Sequence, residues 1–149
     1  MSHIADNLDL SIFRHRLPVQ IRFNDLDMLG HVNNAVYFSM MDLAKTRYFE
    51  EALEAPLNWK KIGVAIVNVN CDFVSQTFFD DKIEVLTAIT HIGEKSLRLE
   101  QVVIGVDDRR VRCVCHTVMA AFDMHTLKSA LILPEWREGF ENFEGKSLS

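Results

Sequence analysis

The chain has 149 residues, 48% of them hydrophobic and 25% charged, with a formal net charge of −5. That length suits one domain with a real core, and the composition excludes disordered, collagenous and repeat classes. The acidic balance argues against a general nucleic-acid binder, although a local basic cluster can still hold phosphates.

No stretch approaches the roughly 20 apolar residues of a membrane span. Met1 to Ser11 carries Asp6 and Asp9 and has no basic start followed by an apolar run, so it does not read as a secretory signal. The cytoplasm is the expected compartment. The three cysteines, Cys71, Cys113 and Cys115, lie in apolar runs. Their odd number predicts reduced, buried, small hydrophobes rather than a disulfide scaffold. The Cys113-x-Cys115 spacing finds no second ligand pair, so no metal is expected.

In chain order, Val19, Ile21 and Phe23 alternate with Gln20, Arg22 and Asn24, which predicts a strand over 17–24. An irregular polar stretch with Gly30 follows. Tyr37, Met40, Met41, Ala44, Tyr48 and Ala52 then fall on one face of a helix over 34–54, with Asn33 or Asn34 as N-cap and Pro56 as the stop. Alternating apolar residues predict four further strands, at 65–73, 83–90, 97–103 and 111–122. Turns fall at Asp80-Asp81, Gly93-Glu94-Lys95 and Asp107-Asp108. The last strand is apolar on both faces in its second half, which predicts a central or covered position. Pro134 opens a short helix with Trp136 and Phe140 at i and i+4, and the tail from Lys146 is expected to fray.

The order is strand, long helix, then a four-stranded meander. One helix cannot cover both faces of a five-stranded sheet. The expected α+β architecture is an antiparallel sheet wrapped around that helix, its free edge or outer face left for self-association.

The stretch between the first strand and the helix, Arg22 to Tyr37, is polar and holds Asp25, Asp27 and His31. A carboxylate just ahead of a helix is favoured in its ionised form, and the first helical N–H groups can hold a developing oxyanion. That is minimal equipment for attack on an acyl carbon, and a thioester, with its weakly basic leaving group, is a suitable target. A calcium loop is excluded, because the oxygen ligands do not alternate correctly and no Glu closes the loop. His116 reads as a core or interface histidine. Lys60, Lys61, Lys95, Arg98, Arg109 and Arg110 read as solvated surface, with some basic group needed if phosphates are bound.

The segment Arg22-Phe-Asn-Asp25-Leu-Asp27-Met-Leu-Gly30-His31-Val-Asn33-Asn34-Ala-Val-Tyr37 resembles the signature of the 4-hydroxybenzoyl-CoA thioesterase-like family of hotdog proteins. The resemblance implies a single hotdog domain with its core at about 17–134, acting as an acyl-CoA thioesterase. It implies Asp27 as the catalytic carboxylate, nucleophile or general base, and the Asn34 backbone N–H as oxyanion donor. His31 is implied in a supporting role, with Gly30, Asn33 and Tyr37 around the substrate and Asp25 fixing the loop. No cofactor is implied. The partners implied are an acyl-CoA substrate and a second copy of the chain, as a homodimer or a dimer of dimers. Lys45 departs from the family pattern, where Arg is common. Two rival readings use the same fold. One is a non-hydrolytic acyl-CoA sensor, and the other a hydroxyacyl-thioester dehydratase with His31 as base.

Overall fold

The computed structural model describes residues 8–55 and 62–149. Strands β1 (His15–Val19), β2 (Ile62–Phe73), β3 (Ile83–Ile92), β4 (Ser96–Gly105) and β5 (Val111–Asp123) form one antiparallel sheet. Helix α1 spans Asn34–Leu53 and helix α2 spans Pro134–Glu144. The strand order is β1-β3-β4-β5-β2. Only β3, β4 and β5 are a meander; β2 leaves α1 and pairs at the far edge against β5. The four-strand meander expected from the sequence is corrected accordingly, since alternation shows that a segment is a strand but not which neighbour it pairs with.

Parity along the strands divides the core. Ile83, Val85, Val103 and Cys113 point to the helix side and pack with Tyr37, Met40, Met41 and Ala44 of α1. Leu86, Ala88, Val102, Ile104 and Val114 point the other way and are covered by Phe13, Leu8 and Leu10. The helix face read from the sequence is the buried one. Asn33 caps α1, its side chain accepting the Ala35 N–H, and Glu54 ends it in a left-handed conformation. Pro56, the expected stop, lies outside the described residues, as do Lys60 and Lys61.

Four other expectations change. The first strand is His15–Val19 rather than 17–24. Beyond Val19 the Asp25 carboxylate takes the Arg22 N–H at 2.8 Å and closes a 3-10 turn over Phe23–Asp25, leaving Phe23 on the surface. Local side-chain capping there overrides the period-two pattern. In β5 the residues buried on both faces are 111–115, the first half of the strand, and His116 is exposed on this chain, which corrects the core alternative expected for it and not the interface one. The tail is not frayed: Leu148 is buried, its carbonyl accepts the Ile92 N–H at 2.9 Å, and its own N–H donates to Glu141.

The cysteines are not all reduced. Cys71 and Cys115 face each other in the β2–β5 register with Cα atoms 4.2 Å apart and are joined by a disulfide. Cys113 is free and buried, and burial pushes its thiol up to about 12. The sequence shows Cys113 and Cys115 on one face of a strand, but the pairing of β2 beside β5, which brings Cys71 across, is a tertiary fact.

Candidate active site

The turn ahead of α1 is built from backbone. The Asp27 N–H donates to the His31 carbonyl at 2.9 Å, and the Gly30 N–H donates to the Asp27 carbonyl at 3.1 Å. Leu26 and Val32 form a bridge across it. Gly30 has φ +84°, a left-handed conformation that side chains rarely adopt, and it lets five residues reverse the chain. Asp25 holds the base of the turn: its side chain caps Arg22, and its carbonyl accepts the Asn33 N–H at 2.8 Å.

Asp27 Oδ1 accepts the Leu29 N–H at 2.9 Å. Among the described residues Oδ2 has no hydrogen-bond partner, and the side chain is exposed. One oxygen is thus anchored and the other is open to a water or a substrate carbon. At the start of α1 the Asn33 side chain takes the Ala35 N–H at 3.0 Å, and its carbonyl takes the Val36 N–H at 2.9 Å. The Asn34 N–H heads the helix and, among the described residues, donates to no carbonyl outside it. It is a donor at the positive end of the helix.

Asp27, His31, Asn33, Asn34 and Tyr37 line one cavity of about 670 Å³. Gly30 is not among the lining residues; it shapes the turn that carries Asp27 and His31. The other wall comes from the end of β2 and the chain leaving it, Phe73, Val74, Ser75, Gln76 and Phe78, with Arg110 from the residue just before β5. That wall is tied to β5, since the Val74 and Ser75 N–H groups both donate to the Arg112 carbonyl. Arg112 is buried, paired with Asp108 at 3.0 Å and Asp81 at 3.6 Å. Asp81 in turn accepts the Phe78 N–H at 2.9 Å.

The Tyr37 hydroxyl donates to Thr77 Oγ1 at 2.7 Å in a buried bond, and burial raises the phenol above its ordinary range. Its ring, with Phe73 at 5.9 Å, forms an apolar floor. The His31 ring stands edge-on to Phe78 at 5.2 Å. Among the described residues no cluster of His, Cys, Asp and Glu has the geometry of a metal site.

The second wall escapes the sequence. Phe73 reads there only as a strand residue, and nothing singles out Ser75 and Gln76. The break of Ser75-Gln76-Thr77 between apolar runs is the available signal, but it takes tertiary pairing to carry it to Asp27: the Val32 N–H donates to the Thr77 carbonyl at 2.8 Å, and His31 bridges Phe78.

A five-stranded antiparallel sheet curled about one long helix, with a polar cleft at the helix start, is a hotdog fold. The family model of the Thioesterase-like superfamily matches residues 21–140, and the chain belongs to that family. It is 26% identical over 81 residues to the uncharacterized protein YsmA of Bacillus subtilis strain 168, a match spanning about half of that protein's length (54%) and of this chain. It is 24% identical over 126 residues to the long-chain acyl-CoA thioesterase FadM of Escherichia coli K12, covering 83% of this chain and 94% of that protein. A thioesterase from Thermus thermophilus, solved with coenzyme A and Zn, superposes with a TM-score of 0.77 at 28% identity, covering 93% of this chain and 100% of that one.

Proposed function

We propose that this chain hydrolyses an acyl-coenzyme A to the free acid and coenzyme A, with Asp27 as the working carboxylate. The observation that carries the reading is that Asp27, one oxygen free, and Asn34, at the head of α1, line a single cavity in a chain of the thioesterase family. The substrate carbonyl oxygen sits at the Asn34 N–H, which gains strength as the oxygen becomes an anion. Asp27 Oδ2 either takes a proton from a water that attacks the carbonyl carbon, or attacks that carbon itself to give a mixed anhydride that water then opens. In both routes the C–S bond breaks and coenzyme A leaves as its thiolate.

His31 supports the site by orienting substrate, and Asn33 sets the helix start by capping it. Tyr37, Phe73 and Phe78 suit an apolar acyl group. The 4-hydroxybenzoyl-CoA-like branch is the subfamily we favour, on the Asp27 to Tyr37 motif.

The proposed assembly is a homodimer, alone or as a dimer of dimers. Strand β2 pairs with β5 on one side only, and Ile66, Val67 and Val69 on it are exposed. A bare apolar edge is a template for a second copy. Phe73 belongs both to that strand and to the cavity wall, so a partner there would help enclose the site. Catalytically active monomer, identified by size exclusion with light scattering, would contradict this. The proposed compartment is the cytoplasm, where the Cys71–Cys115 disulfide would be a transient or redox-responsive bond, because thiols are kept reduced there. No helix among the described residues is long and apolar enough to cross a membrane.

The test is a panel of aromatic and aliphatic acyl-CoAs assayed for thiol release. Turnover of at least one is expected. Tight binding without release would point to a sensor, and an enoyl product with its thioester intact to a dehydratase.

A further inference from the structure

We propose that Arg110 is the substrate-recognition residue of this cavity, holding an anionic group of the thioester substrate with its guanidinium. The proposal rests on the hydrolase reading above and goes beyond it in assigning a residue and a ligand chemistry.

Among the described residues Arg110 is the only Lys or Arg that lines the cavity. The arginines beside it are already committed. Arg109 pairs with Glu84 at 3.5 Å, and Arg112 pairs with Asp108 and Asp81. Arg22 and Arg16 are likewise paired, with Asp25 and Glu84. The Arg110 side chain, among the described residues, has no hydrogen bond or ion pair; Asp108 lies near enough only for a Coulombic influence. Its backbone, in contrast, is pinned three ways. The Arg110 N–H donates to Asp108 at 2.9 Å, and its carbonyl accepts from the Gly105 N–H at 2.9 Å and from Arg112 Nη1 at 2.9 Å. Arg109 takes φ +59°, so the chain turns sharply just before Arg110. A residue in that conformation is uncommon unless the surroundings hold it.

The result is a cation with a fixed base and an uncommitted fork, facing the same cavity as Asp27, in a chain of net charge −5. A planar guanidinium with free N–H donors matches phosphate or carboxylate in two parallel hydrogen bonds. Two parts of an acyl-CoA can supply that anion: a phosphate of the coenzyme or a carboxylate on the acyl group.

The experiment compares the wild type with R110Q, R110K and the control R109Q. The ligands are a neutral acyl-CoA, the same acyl group on pantetheine, and a carboxyacyl pantetheine thioester. The readouts are KM, kcat and, without turnover, the Kd of coenzyme A and of the carboxyacyl thioester. R110Q is expected to raise KM about 10-fold or more for an anion-bearing thioester while kcat stays within about 2-fold. The neutral pantetheine thioester should be unaffected, R110K should recover part of the loss, and R109Q should match the wild type. A loss confined to the neutral acyl-CoA assigns the anion to a coenzyme phosphate; a loss confined to the carboxyacyl pantetheine assigns it to the acyl group. Unchanged KM and Kd for both anion-bearing ligands, or an equal rise with the neutral pantetheine thioester, would overturn the proposal. If the wild type releases no thiol from any substrate, the hydrolase reading fails while the two Kd comparisons still decide the role of Arg110.

Discussion

Replacing Tyr48 by Phe is expected to cost stability and leave turnover intact. Tyr48 is fully buried, and its ring sits against Phe49, Phe140 and Phe143. Its hydroxyl donates to Glu144 Oε2 at 2.5 Å, an oxygen that also accepts the Ile89 N–H at 3.3 Å. Phe keeps the ring and its packing, so no cavity forms. What it removes is the stronger of two donors to a buried carboxyl group, at a cost of about 1–3 kcal/mol. Tyr48 lies about four turns beyond Asn34 on α1, roughly 21 Å at ~1.5 Å per residue. Effects at that separation, with no shared partner, add independently. Urea unfolding followed by far-UV circular dichroism should show a lower midpoint at an unchanged slope, with kcat/KM held within about 2-fold. A variant within about 0.5 kcal/mol of the wild type would refute the structural weight given to this bond. A loss of turnover matching the loss of stability would refute the separation from the site.

Burial raises the Glu144 carboxyl above its ordinary value of 4.5, so in that region the folded chain holds a proton that the unfolded chain has released. Stability relative to Glu144→Gln should therefore be level below about 4.5 and fall as pH rises from there through the folded pKa; a pH-independent difference in unfolding free energy would contradict this. For the disulfide, denatured but unreduced protein should titrate one thiol, Cys113, and reduced protein three. Reduction should lower stability by up to about 4 kcal/mol for a loop of this 44-residue separation; three thiols before reduction would contradict the bond.

The parts of the fold legible in the sequence are those with long, regular periodicity. The α1 face from Tyr37 to Ala52 is buried as its spacing requires, and four strands appear where alternation places them. Short-range competition hides the end of β1, where Asp25 captures Arg22 and Pro18 lies on an edge strand that needs no N–H there. Pairing between distant segments hides the rest. Nothing local to Cys71 points to Cys115, nothing local to Phe73 or Arg110 points to Asp27, and the burial of Leu148 depends on β3 and α2 lying beside the tail. The near half of the cavity is legible because Asp27 to Tyr37 is one continuous segment. The far half is assembled from the end of β2, the loop that follows it and the residue before β5.

In the proposed mechanism Asp27 carries the hydrolysis, with one oxygen held by Leu29 and the other free. Its most direct test is thiol release from the best acyl-CoA substrate by Asp27→Asn, with His31→Ala alongside and thermal stability of both checked. A folded Asp27→Asn protein slowed by about 10²–10⁴ is expected, with a smaller loss for His31→Ala. Turnover by Asp27→Asn equal to the wild type, or a larger loss at His31, would contradict it.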